Sequence, residues 1–233
     1  MDSRALPYFV AASGDVDPHH ALAALADAFR TTDPVEGIPV SKPAAPVLDS
    51  TERIAEPRAQ AALGYIVRAP GGAAPDALAW RIALYVLAHD YGGRLGAEAI
   101  SRQGLLYYVG ADYTADAETG WVTLSMGVDP ERLAPLRDLL KAELRRLVEA
   151  PPTAAEIDEA KRHLIGRRIS ADAKQRGDRL GACGRMDALG GLRAPAELAE
   201  ALSKVTREDV LSILPDFAAG GIITVDVGAG PAQ

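Results

Sequence analysis

The chain has one cysteine, Cys183, in 233 residues, so no disulfide can form within it and the redox compartment is not encoded. Histidine is scarce as well. His19, His20, His89 and His163 are scattered, and no His-x-x-Glu-His motif or its inversion sets two of them beside a glutamate on one helix. A zinc centre built by a protein needs three or four such donors converging on one point, so no metal and no catalytic residue is expected in this chain. Basic excess is missing too. Lys and Arg number 25 against 32 Asp and Glu, a net charge of −7, which argues against a nucleic-acid partner. No apolar run approaches the roughly 20 residues that cross a bilayer, so no membrane span is expected. Met1-Asp2 opens a short mixed segment without the pattern of a signal peptide. The expectation is a soluble protein, cytoplasmic or periplasmic.

Apolar residues make up 48% of the chain, with charge interspersed, which is a globular composition able to bury one large core or two small ones. The chain divides into three parts. In residues 1–30, positions 6–12 read as a short apolar strand stopped by Ser13-Gly14. Asp17 can cap a helix that Pro18 starts, with Leu22, Leu25 and Phe29 along one stripe. Residues 31–51 hold Pro34, Pro39, Pro43 and Pro46, with Pro57 just beyond, and read as an irregular linker. Residues 52–233 form the main body.

The body begins with a strand at 61–69, broken by Pro70-Gly71-Gly72. A helix is predicted from Pro75 to about Asp90 and a shorter one from Arg94 to Arg102, stopping at Gly104. Residues 105–128 read as an antiparallel hairpin, because Val122, Leu124, Met126 and Val128 alternate with Trp121, Thr123, Ser125 and Gly127. Asp129-Pro130-Glu131 opens a helix carrying Leu133, Leu136, Leu140, Leu144 and Leu147. Thr153 and Glu156 have the spacing of a capping box for the next helix, which runs toward Ile169, with more helix through Leu189. Thr206 caps a last helix, and residues 222–227 form a closing strand. This order gives an α+β fold: an antiparallel sheet with helices packed on one face.

Several segments then carry a resemblance. They are Gly92-Gly93-Arg94-Leu95, Gly104-Leu105-Leu106-Tyr107, Gly120-Trp121 leading to Asp129-Pro130-Glu131, Thr153 with Glu156, Ala160-Lys161 with Leu164, and Val205-Thr206 with Asp209-Val210. In order and spacing they resemble the C-terminal, non-catalytic homology domain of the pitrilysin, insulin-degrading enzyme and mitochondrial processing peptidase family. The stretch from Val10 to Pro18 resembles the strand, turn and helix that close a preceding homology domain in that family.

The resemblance implies paired domains facing each other across a substrate chamber. One carries an inverted zinc motif and a zinc-bound water, and the other contributes contacts to the peptide substrate. It implies zinc in a partner catalytic domain or subunit and none in this chain, whose counterpart of the metal-bearing helix holds Trp80, Ile82, Leu84 and Val86 and ends at His89. The facing domain of the family usually bears an Arg and a Tyr seven residues apart. Tyr107 matches the Tyr as a substrate-binding residue, but counting back seven gives Ile100. The alternative is a structural subunit of the respiratory core-protein type, with no peptidase role. An apolar wall built to face a homologous domain can also pair with a second copy, so a homodimer is a further expected partner.

Each marked residue has a plainer reading. Tyr107 and Tyr108 fall in the predicted hairpin, where burial in the core is the favoured reading. His19 and His20 diverge on their helix and read as surface residues. Lys161, Arg162 and His163, with Arg167 and Arg168 one turn on, read as a solvated face, with a groove for acidic peptides as the alternative. Cys183 lies among small residues that suit close helix packing.

Overall fold

The computed structural model describes residues 17–28, 51–54, 60–89, 91–116, 118–174 and 195–227. The predicted strand at 6–12, helix through Leu189 and packing role of Cys183 lie outside these residues.

The helices are α1 (Pro18–Ala28), α2 (Ala77–Ala88), α3 (Arg94–Gly96), α4 (Leu133–Glu149), α5 (Ala154–Lys174), α6 (Pro195–Lys204) and α7 (Arg207–Ala218). The strands are β1 (Thr51–Ile54), β2 (Ala61–Pro70), β3 (Val109–Ala115), β4 (Thr119–Val128) and β5 (Gly221–Val227). They form one sheet in the order β1-β5-β2-β4-β3. The pairs β5-β2, β2-β4 and β4-β3 are antiparallel, as expected. The short β1 adds a parallel pair at the β5 edge. That strand was not anticipated: it begins at the end of the stretch read as a proline-rich linker, and its four residues give too short a pattern to read.

Alternation explains the sheet. Ala61, Leu63, Tyr65, Val67 and Ala69 of β2 are buried on the inner face, as are Val122, Leu124, Met126 and Val128 of β4. The helix α2 is apolar almost all round because it lies inside the molecule, in contact with β3, α5 and α7; Ile82, Ala83 and Leu87 have no solvent exposure. On α4 the leucines at 133, 136, 140, 144 and 147 are all buried, the three-four spacing of one helix face.

Polar contacts lock the layers together. The Tyr65 hydroxyl donates to the Phe217 carbonyl and accepts from the Gly220 amide at 3.0 Å, which ties the middle strand to the end of α7; burial pushes its pKa up. The Arg94 guanidinium grips Glu156 with two hydrogen bonds of 2.7 and 3.0 Å and donates a third to the Ala150 carbonyl. Thr153 and Glu156 form the expected reciprocal cap, and Thr206 with Asp209 forms another. Glu156 is held down to about 2, chiefly by Arg94 and further by Thr153.

Candidate functional site

The segment between α3 and β3 presents the residues singled out by sequence. α3 continues directly into a π-helical turn, Ala97–Arg102, in which the Gln103 amide reaches back five residues to the Glu98 carbonyl. The sequence reads as ordinary α-helix here, because periodicity over six residues does not separate the two. Gly104 then takes φ +60°, the left-handed conformation that favours glycine. The Leu105 and Leu106 amides both bond the Ala99 carbonyl, and Leu106 is buried, so the turn is pinned beneath the next residues.

Tyr107 and Tyr108 are not core residues. They precede β3, and their exposures are 69% and 57%. The expected burial fails because the strand begins two residues later than its aromatic content suggested. Tyr108 lies over Gly127: a Cβ on that glycine would meet the Tyr108 ring at 3.5 Å. This follows from the register, since Val109 faces Met126. Tyr108 was missed as a site residue. The signal was the glycine at 127 in an otherwise regular alternation, which leaves room for a ring above it.

Ile100 is half-buried and packs against the core, so the position that would carry the family's arginine is turned inward. Arg102 is exposed and ion-paired within the same turn to Glu98 at 2.7 Å. Arg132 donates to the Gly104 carbonyl and so braces the turn from the start of α4.

The outer face of the sheet runs from Tyr108 over Ala62, Ser125 and Asp112 to Arg68, all exposed, with Trp121 half-buried among them. No described helix covers it. Small residues opposite one another leave it shallow: Gly64 pairs with Ser125, and Ser125 with Gly110.

On the other side of the molecule, His163 is not on a solvated face. It is half-buried, its ring 3.6 Å from that of His89 and 5.2 Å from that of Tyr85, measured between centroids. Arg167 donates to the Tyr85 hydroxyl at 2.8 Å, and the Lys161 ammonium donates to the Val205 carbonyl at 2.7 Å. Arg162, His19 and His20 are exposed.

These side chains do not fit zinc. The buried residues of α2 are Ala, Trp, Ile, Leu and Val, with no metal donor among them. Among the described residues no three His, Cys, Asp or Glu groups converge to hold an ion. The buried face of α2 therefore supplies no zinc ligand. No described helix is long and apolar enough to cross a membrane.

Residues 9–164 match the family model described as the peptidase M16 inactive domain. The chain belongs to that family. Solved structures similar to this M16 inactive domain include one from Pseudomonas fluorescens, itself described as a peptidase M16 inactive domain. It has 21% identity and a TM-score of 0.75, with 94% of this chain and 54% of that one covered. A protease from Helicobacter pylori has 16% identity and a TM-score of 0.71, with 92% of this chain and 53% of that one covered. The inactive peptidase domain from Bordetella parapertussis has 16% identity and a TM-score of 0.62, with 77% and 99% covered. The M16 inactive domain thus spans about half the length of the first two structures. No curated protein matches it in sequence.

Proposed function

We propose that this chain is the non-catalytic half of a zinc-dependent endopeptidase, walling a peptide chamber opposite a partner domain or subunit that carries the inverted zinc motif and the ion. The observation that carries this reading is the juxtaposition of an α2 whose buried residues hold no metal donor with an outer sheet face that no described helix covers, beside two exposed tyrosines. An enzyme-family domain that keeps its fold without metal donors retains surface as its means of acting. Tyr107 is the substrate-binding residue of the proposal, and Tyr108 stands beside it on the same turn. A tyrosine offers an apolar ring to a peptide side chain and a hydroxyl to its backbone.

Residues 1–30 are proposed as the end of a preceding homology domain, joined through 31–51 to the body at 52–233. Leu22 on α1 is 72% exposed, which suits a helix whose covering surface belongs to another domain.

The test is reconstitution. The chain is mixed with a metallopeptidase subunit bearing the inverted motif and encoded beside it, and cleavage of an unfolded peptide is followed with and without chelator. Expected is no turnover by the chain alone, chelator-sensitive turnover by the mixture, and a loss of about tenfold in kcat/KM with Tyr107→Ala, equivalent to about 1.4 kcal/mol. Chelator-sensitive cleavage by the chain alone overturns the proposal.

A second reading, an assembly subunit without peptidase role, is supported by one specific feature: Ile100 is packed inward where the family's arginine would stand. A structure of Candida albicans complex III2 is also similar in fold, at 17% identity and a TM-score of 0.71. That reading expects a stable complex whose turnover is unchanged by Tyr107→Ala. Sedimentation of the isolated chain as a dimer would identify a second copy as a partner.

A further inference from the structure

A cavity of about 550 Å³ opens between the C-terminal half of α4 and the turn from α7 into β5, within the size range of ligand pockets. It lies on the helix-bearing side, since Ile222 shares the inner face with its β2 partner Tyr65, whereas Tyr108 lies on the outer face. Its floor is apolar. Leu144 and Ile222 are buried, and Val148 beside them is 41% exposed, a large apolar side chain left in solvent.

Among the described residues the rim carries two cations, Lys141 and Arg145, against one acid, Glu149. Neither cation has an ion pair among the described residues. They are four residues apart on α4, so like charges share one helix face and repel. Both precede the last turn of α4, whose basic residue is Arg146, so they do not serve to offset the helix dipole.

We propose that this groove docks an extended segment of a partner protein that is both acidic and apolar. An apolar side chain fills the space above Leu144 and Ile222, and a carboxylate sits between Lys141 and Arg145 and relieves their repulsion. Charge complementarity selects this occupant: a basic segment would add a third like charge, and a wholly apolar one would leave both cations unpaired. The apolar floor supplies affinity and the charged rim supplies specificity.

Fluorescence anisotropy with two labelled, acetylated repeat peptides, one alternating leucine with aspartate and one alternating leucine with lysine, tests this on the whole chain. The acidic probe should bind at least about tenfold tighter than the basic one, with the advantage shrinking as salt is raised. The double variant Lys141→Glu, Arg145→Glu should abolish that preference, and Val148→Asp should weaken binding of the acidic probe. Tyr107→Ala should leave it unchanged, which separates this groove from the proposed substrate face. Circular dichroism checks that each variant folds; if the double variant does not, Val148→Asp and the salt titration decide. Equal binding of the two probes, or binding unmoved by the rim and floor variants, overturns the proposal.

Discussion

Gly93 has no room for a side chain: a Cβ there would lie 2.3 Å from the His89 amide nitrogen and 2.9 Å from the Leu87 carbonyl oxygen. Both obstacles are backbone at the end of α2, so neither can swing aside. Gly93→Ala should therefore lower stability by about 1–3 kcal/mol, the cost of overpacking, read as a reduced denaturant midpoint. Gly104 differs, since its surroundings are open and only its positive φ resists substitution. Gly104→Ala should cost about 1–2 kcal/mol. Tyr107→Ala, at an exposed position, should stay within about 0.5 kcal/mol of the parent. Unfolding caused by that change would show the ring to be structural and remove its proposed role. The three positions were unequally legible. Gly104 stood out as a helix stop, Gly93 as part of a matched segment, and the tyrosine as a family match. The exposure of the tyrosine was not legible, because aromatic content alone does not fix where a strand begins.

At the scale of elements, the junction of α3 with α5 rests on Arg94 and Glu156. Glu156 titrates at about 2 when folded, below its ordinary 4.5, because Arg94 and Thr153 bond the carboxylate. The sign follows from linkage: the stabilisation is present in full above about 4.5 and is lost as pH falls toward 2. The gap in unfolding midpoint between the parent and Glu156→Gln should accordingly close across that interval. A gap that stays constant with pH would mean that the carboxylate charge contributes nothing. Deeper in the fold, Leu140→Ala should cost about 2–5 kcal/mol, because Leu140 has no solvent exposure and its removal leaves a cavity beneath the sheet. Elements with long periodic patterns, such as α4 and β4, were readable because their spacing repeats several times. The π-helical turn and β1 were not, since six and four residues carry too little pattern. The pairing of His89 with His163 was hidden for another reason. It joins α2 to α5 across more than seventy positions, and the sequence holds no record of which helix faces which.

For the whole molecule, the absence of converging donors among the described residues has a direct thermodynamic expression. A bound ion would stabilise the folded state by mass action. Neither added zinc nor a chelator should shift the unfolding midpoint of the purified chain by calorimetry. A zinc-dependent rise would reveal a site and undo the division of labour proposed between this chain and its partner. The inward Ile100 and the outer face that no described helix covers act at this scale as well, because they bear on the proposed meeting with a partner domain rather than on any one side chain.

The position of β5 has a consequence for how the protein is made. This strand comes from residues 221–227, yet it lies between β1 and β2 rather than at a border. While a ribosome is still translating the earlier residues, β2 has a vacant flank and β1 has nothing to pair with. The sheet can close only after synthesis of the last strand, so a prematurely terminated product ending before it should be captured by chaperones or degraded rather than accumulate as a smaller folded form.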